Sequence, residues 1–317
     1  MDKNIPAHIL IPKKRKYKKE DMRLLYLAIP FIIFIFMFSY VPLFGWSLVF
    51  FQYRPGMPFA QVFSENFVGL QYFRWMFTTE LPEIRRVMTN TMALAGLGLL
   101  FSPLSMILAM LLNEVRNMPF RRVVQTLTTL PNFVSWVIIF ALAFAMFSTE
   151  GAVNQMLMDW GLIDRNLRVL DNSAIVWRFQ TALGIWRGVG WGAIIYIAAI
   201  TGIDQEQYEA ATVDGAGRFR RAIHITLPGL LPTYFVLLLL GIGSILSPAA
   251  LDQTLNFHNG LVARRIETLD YYTYMRGIVN QVYSYAIAVG MLRSFISVIL
   301  LFSANYLSKI VRGHSIF

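Results

Sequence analysis

Four stretches of the chain run without a charged side chain for longer than a bilayer is thick. Residues 24–51, 87–113, 123–149 and 222–251 contain no Asp, Glu, Lys or Arg, and His224 is the one histidine among them. Two further apolar runs carry a single cation each, Arg187 within 179–202 and Arg293 within 283–307. About 20 mostly apolar residues suffice to cross the hydrocarbon core as a helix. The pattern therefore predicts an all-α polytopic membrane protein with six transmembrane helices, at about 24–51, 88–112, 123–148, 179–202, 229–248 and 283–307. The first run is too long for the apolar part of a signal peptide, and Phe50-Phe51-Gln52-Tyr53 is a poor cleavage site, so it reads as a retained helix.

Charge sets the expected orientation. Residues 1–23 form a basic N-terminal segment that includes Lys13-Lys14-Arg15-Lys16-Tyr17-Lys18-Lys19. With the N-terminus inside, Lys3, this run, Arg23, Arg116, Arg121, Arg122, Arg218, Arg220, Arg221, Lys309 and Arg312 lie on the inner side, 16 of the 28 Lys and Arg. Excess Lys and Arg mark cytoplasmic segments. Both termini, including the 309–317 tail, are expected in the cytoplasm of a bacterial cell (inner or plasma) membrane. The polybasic run also suits contact with anionic membrane lipid.

Composition agrees with this reading. The 317 residues are 56% hydrophobic and 15% charged, with mean hydropathy +0.53. Soluble domains carry about 25% charged residues. A soluble enzyme is excluded on that ground, and 15% aromatics excludes a disordered chain. The net charge of +10 sits beside apolar runs, as topology requires, and does not call for nucleic acid. With no cysteine there is no disulfide framework or thiolate site, and His8, His224, His258 and His314 show no metal-ligand spacing.

Three segments face outward in this scheme. Residues 52–86 hold an aromatic stretch, 67–77, that suits an interfacial helix. Residues 150–178 mix turn residues with short apolar pieces. Residues 252–282 carry Arg264-Arg265 and the tyrosines Tyr271, Tyr272 and Tyr274.

The inner segment 203–228 carries the most information. Asp204 is a good N-cap, with Gln207 at the capping-box position three residues on. Acids crowd the first turn, and Asp214-Gly215 is a helix stop. A second short helix from about Gly217 carries three arginines, and Pro228 precedes the fifth span. The bend is built of Ala210, Ala211, Gly215, Ala216 and Gly217, side chains small enough for another backbone to approach. This is the build of a docking knob.

These residues also resemble a known family. Glu209-Ala210-Ala211, three residues, Gly215, nine residues, then Ile225-Thr226-Leu227-Pro228 matches the EAA motif of the membrane subunits of bacterial ABC importers. The resemblance covers nearly the whole chain. Gly184 to Trp191, Phe67 to Phe73, Asn90-Thr91, Tyr283 to Gly290 and the terminal Ser315-Ile316-Phe317 look like carbohydrate-type permeases, in the complex-oligosaccharide branch. Residues 249–259 depart from that branch.

The resemblance implies the type I ABC importer permease (MetI-like) fold and a subunit that is not itself an enzyme. The ATPase-coupling set would be Glu209, Ala210, Ala211, Asp214, Gly215, Ala216, Arg218 and Pro228. Glu209 would enter a cleft of a cytoplasmic ATPase and pair with a cation there, the alanines allowing contact and Gly215 the bend. The implied partners are two ATPase subunits, a second and probably different permease subunit, an extracellular or periplasmic solute-binding protein, and an oligosaccharide cargo. No cofactor is implied for this chain. ATP and Mg would sit on the partner ATPase, since no Gly-Lys dipeptide occurs here to build a Walker A loop.

The two intramembrane arginines are the remaining candidates. At 1.5 Å per residue, Arg187 lies about 22 Å and Arg293 about 21 Å above the inner ends of their spans. One reading has them line the translocation cavity and favour an acidic, uronate-containing sugar, with Trp186, Trp191 and Tyr285 stacking on sugar faces. The other has them snorkel to headgroups or pair within the bundle. A secondary transporter is the alternative class, as is an importer of a non-sugar solute. The first would want an intramembrane carboxylate, and the six spans hold none.

Overall fold

A computed structural model describes residues 19–246 and 251–312. The polybasic run before Lys19, most of the 309–317 tail with Ser315-Ile316-Phe317, and residues 247–250, which include the first two of the atypical stretch, lie outside the described residues. Among those described, helices dominate, six regions are long and apolar enough to cross a membrane, and the β structure is one bridge, Phe51 to Phe67.

The first crossing is α1 (Lys19–Ile35), which loosens into a π turn (Phe36–Tyr40) and a 3-10 stretch (Val41–Phe50). Pro42 cannot donate to the ladder, which helps to explain the change of pitch. Its first half packs little on the rest of the chain, with Phe31 66% exposed, while the 3-10 stretch lies along the last crossing and buries Val49, leaving Phe44 75% exposed on its other side. Two short helices follow, α2 (Phe59–Glu65) and α3 (Gln71–Thr78), the second within the aromatic stretch expected to be helical.

The second crossing begins earlier than the hydropathy suggested. α4 (Leu81–Leu100) includes Arg85 and Arg86, and after a turn α5 (Pro103–Glu114) completes it. The third departs from expectation more sharply, because 123–148 is not one helix. α6 (Met118–Thr129) ends in a 3-10 turn (Leu130–Phe133), and α7 (Trp136–Phe147) restarts behind Ser135, whose Oγ accepts from the Ile138 N–H. Pro131 lacks an N–H and Val134 is extended, so the ladder cannot run through. The apolar window continues into α8 (Ala152–Asp159), but the chain folds back first. A Cβ on Gly151 would stand 2.7 Å from the Met146 carbonyl oxygen.

α9 (Val176–Thr201) is the central post. Gly190 lets α6 press directly on it, for a Cβ there would lie 2.2 Å from the Thr128 carbonyl oxygen. Small residues at such crossings are how membrane helices gain dispersion contacts without help from water. α10 (Gln205–Val213) follows as the first arm of the inner segment. α11 (Arg218–Arg221) was expected as a separate short helix before Pro228. It instead runs through a π turn (Ala222–Thr226) into α12 (Leu227–Gly243), so the fifth crossing starts at Arg218. Pro228 falls in the first turn of α12, where a missing N–H costs little.

Residues 251–282 do not form an outlying loop. α13 (Leu251–Phe257), α14 (Ala263–Ile266) and α15 (Leu269–Tyr274) fold back into the end of the bundle distant from α10, and α16 (Tyr283–Arg312) makes the sixth crossing. Phe257, Val262 and Ile266 pack with Trp136, Ile139 and Val176; Leu269 and Tyr272 pack with Met76, Val87 and Tyr285.

The contact at Gly190 gives a clean test. Gly190→Ala should lower stability by roughly 2–3 kcal/mol by overpacking against backbone. Gly188→Ala, two residues away with nothing within 4 Å of the new methyl, should be neutral or slightly stabilising. Thermal unfolding of the purified protein, followed by tryptophan fluorescence, separates the two.

Candidate functional site

The elbow between α10 and α11 is held by local chemistry. The Asp204 carboxylate accepts from the Glu206 N–H at 3.0 Å, so it caps the helix as expected, although through the second residue of the helix and not the third. At the other end Gly215 has φ +73°, the left-handed conformation that ends helices. The Gly215 N–H donates to the Thr212 carbonyl at 3.1 Å and the Ala216 N–H to the Ala211 carbonyl at 2.8 Å, the paired bonds of a Schellman stop.

The elbow is also tied to the fifth crossing. The Tyr208 hydroxyl bonds the buried Thr226 hydroxyl at 2.9 Å, and Arg221 donates to the Thr212 hydroxyl at 2.8 Å. α10 is therefore linked by side chains as well as by backbone to α11 and the π turn that begin the fifth crossing. What faces outward is Glu209, exposed and without an ion-pair partner among the described residues, flanked by Val213 and Phe219, which are 88% and 79% exposed. Ala210 lies exposed beside it, Ala211 and Ala216 are half-buried, and Asp214, Arg218 and Pro228 are exposed. Seven of these eight residues, Glu209 to Arg218, lie on the two arms of one bend, and Pro228 lies further along, in the first turn of α12.

At the distal end the structure assigns both intramembrane arginines a partner within the chain. Arg187 donates to the Asn132 and Val134 carbonyls at 3.3 Å each and lies 5.0 Å over the Trp136 ring. Those carbonyls sit at the break in the third crossing, so Arg187 satisfies the acceptors that the break frees. Arg293 donates to Asp270 Oδ1 at 2.6 Å. Tyr285 is fully buried; its hydroxyl is 2.9 Å from that of Tyr272. Trp186 and Trp191 are 43% and 49% exposed, the latter edge-on to Phe133. The five pathway candidates do not come together.

The pairing residues come from the segment 251–282, which sequence reasoning had left outside the bundle. Glu80 accepts from Arg276 at 2.6 Å and from the Tyr272 hydroxyl at 2.9 Å. A phenol has one proton, so Tyr285 must donate to Tyr272 in turn. Burial first, then the bonds to Tyr285 and Glu80, push the Tyr272 phenol well above its ordinary range. Arg86 bridges Glu83, at 2.7 Å, and Glu267; His258 Nε2 lies 3.0 Å from the same Glu267. Burial raises the Asp270 carboxyl, while the charge and hydrogen bond of Arg293 pull it back. The Thr268 cap that starts α15 was the available sequence signal, since it fixes Asp270 in a first turn beside tyrosines.

A cavity of about 410 Å³ opens below this pair, between α4, α9 and α12. Its wall includes Gly98, Gly184, Gly188, Thr91, Gln180, Thr181, Gln253 and Asp270. Neither arginine is among the lining residues, nor are Trp186, Trp191 and Tyr285.

A bundle of broken crossings with a glycine-stopped elbow at one end is the build of the membrane component of a solute transporter. Residues 102–313 match the family described as binding-protein-dependent transport system inner membrane component, and the chain belongs to it. It is 40% identical over 293 residues to protein LplB of Bacillus subtilis, covering 92% of this chain and 90% of that one. It is 37% identical over 311 residues to the polygalacturonan/rhamnogalacturonan transport system permease protein YteP of the same organism, covering 96% and 94%. Among solved structures it resembles a chain of a bacterial ABC transporter involved in the import of the acidic polysaccharide alginate. That match has TM-score 0.81 and 30% identity over 93% of this chain and 97% of that one. A second structure of a bacterial alginate ABC transporter, in complex with an alginate pentasaccharide-bound periplasmic protein, matches equally well. The chain is thus a multi-pass membrane transport subunit with the fold of ABC importer permeases.

Two substitutions test the assigned partners. Arg293→Met should cost roughly 3 kcal/mol, because it leaves Asp270 buried and unpaired, and Arg293→Met with Asp270→Asn should recover most of the loss. Arg187→Met should cost about 1–3 kcal/mol through the orphaned carbonyls, with no second-site rescue at Asp270. Melting temperatures of the wild type, the two single Arg→Met variants and each of them combined with Asp270→Asn, measured in one detergent, decide.

Proposed function

We propose that this chain is a permease subunit of an ATP-driven importer for acidic oligosaccharides, delivered by an extracellular or periplasmic binding protein. Its elbow would take mechanical work from an ATPase supplied by other chains. The observation that carries this is the exposed Glu209, without an ion-pair partner among the described residues, on an elbow that also exposes apolar Val213 and Phe219 and is braced against the fifth crossing. A carboxylate presented this way suits a cationic cleft, and the apolar flanks suit burial around it. Two ATPase subunits would bind ATP and Mg and, on closing, move two such elbows together. The second elbow would belong to a second permease, and the unpacked first half of the first crossing offers that subunit or lipid an apolar face. α10 would face the cytoplasm with both termini, as the basic residues of that end suggest.

The cargo reading rests on kinship. YteP is named for polygalacturonan and rhamnogalacturonan, and the matched structures are of alginate transporters. All three polymers contain uronic acids. Alternating access then follows if ATP and the loaded binding protein favour the outward-open arrangement over the inward-open one.

Co-expression with the cognate ATPase and second permease tests the coupling. Glu209→Lys should abolish co-purification of the ATPase and reduce ATP-driven uptake of trigalacturonate to background, while the permease still folds and inserts. Since the chain has no cysteine, Asp214→Cys also reports orientation. Labelling by an impermeant maleimide in inverted vesicles but not in intact cells is expected, and the opposite pattern would overturn the reading.

A further inference from the structure

The wall of the cavity is kept open at a cost in helix stability. Glycine inside a helix is less favourable than alanine by about 0.5–1 kcal/mol. Gly98, Gly184 and Gly188 all line the cavity, and at each an added methyl would meet nothing within 4 Å. Close packing does not explain them, so the retained quantity is space. The volume of about 410 Å³ lies within the usual range of ligand pockets.

The polar groups at the head of that space carry unused valences. Asp270 Oδ1 accepts from Arg293, and Oδ2 has no partner among the described residues. Gln253 spends its amide N–H groups on Gln180, at 2.9 Å to the carbonyl and 2.6 Å to Oε1. Among the described residues that leaves Gln253 Oε1 as an acceptor and Gln180 Nε2 as a donor without a partner, neither of them sealed from the cavity. Thr181 next to them is nine-tenths buried with its hydroxyl unpartnered. Asp270 is the one charged residue among the described residues that line the cavity.

We infer that Asp270, with Gln180 and Gln253, reads the hydroxyl edge of a saccharide and determines which way an acidic cargo faces in the cavity. This inference rests on the oligosaccharide reading given above. Vicinal hydroxyls offer donors and acceptors side by side, which a carboxylate and a pair of amides match. A cargo carboxylate is repelled from Asp270 and must point to the opposite wall. Arg293 binds no cargo here; it is a positioning residue that holds Asp270 through Oδ1 and favours its charged form against the effect of burial. The same geometry makes this chain's half of the pathway selective for neutral edges, although the cargo as a whole is an acid.

The test uses the complete importer in proteoliposomes, with ATP inside and the binding protein outside. The probes are trigalacturonate and its carboxyl-reduced neutral counterpart. The readout is the ratio of their uptake rates, which partial misfolding does not move because both probes share one folded population. Asp270→Asn should shift the ratio toward the acid by about tenfold, as expected for loss of a hydrogen bond to a charged group and of like-charge repulsion. Gln253→Leu, which leaves the Asp270–Arg293 pair in place, should lower neutral uptake by about threefold to tenfold and acid uptake less. An unchanged ratio in Gln253→Leu overturns the inference, whether Asp270→Asn is inactive or leaves the ratio unchanged as well. A wild-type importer that moves neither probe removes the cargo reading, and this inference with it.

Discussion

Inside a bilayer a charge or a free carbonyl has no water to turn to, and each one left unpaired costs several kcal/mol. This requirement organises the distal half of the molecule. The third crossing is broken at Pro131, and Arg187 reaches from the neighbouring helix to take up the carbonyls that the break releases. Arg293 stands in the last crossing and needs an anion, and the one it pairs with does not come from a crossing. The segment between the fifth and sixth crossings supplies it by folding back into the bundle, so that Asp270 meets Arg293 while Glu267 meets Arg86. That segment also carries Tyr272 and Arg276 to Glu80, at the foot of the second crossing. One stretch of chain therefore clamps the distal ends of the second, fourth and sixth crossings.

The opposite end follows a different rule. There the ends of the crossings are exposed to water and the helices can stop on their own caps. The Schellman stop at Gly215 makes a sharp bend with few residues, and the Tyr208–Thr226 and Arg221–Thr212 bonds make that bend stiff. The first helix of the elbow hangs from α9 and the second continues into α12, so a push on the bend is delivered to two crossings at once. Both of these crossings line the cavity, through Gly184 and Gly188 on one side and Gly241 on the other. Force applied at the elbow thus has a direct mechanical route to the walls of the cavity.

Hydropathy alone revealed the crossings, because a run of twenty apolar residues has few other stable solutions in water or lipid. The elbow was equally readable, since its cap, its glycine and its small residues act over a handful of positions. Two things were not. Residues 123–149 carry no charge, and a hydropathy count cannot see that Pro131 and the extended Val134 divide them into two helices. Asp270 looked like one more acid in a polar connection, because its partner is 23 positions away and its burial depends on the packing of Leu269 and Tyr272. Arg187 and Arg293 were flagged correctly as costly groups, but a sequence tells that a charge needs a partner and not which one answers.

If the second permease proposed above is a different chain, the sign of the charge in the cavity gives a physical reason for the difference. A cavity built from two identical halves would present two acids to a uronate chain, or two bases that hold it too firmly to release. Conduction requires a site strong enough to admit cargo and weak enough to let it leave. In the proposed arrangement this chain offers hydroxyl-reading groups around a carboxylate held by Arg293, and the attraction for carboxylates falls to the facing subunit. Each sugar is then gripped on one edge by neutral hydrogen bonds and drawn on the other by charge. When the halves separate, both sets weaken together, since neither is complete without the other.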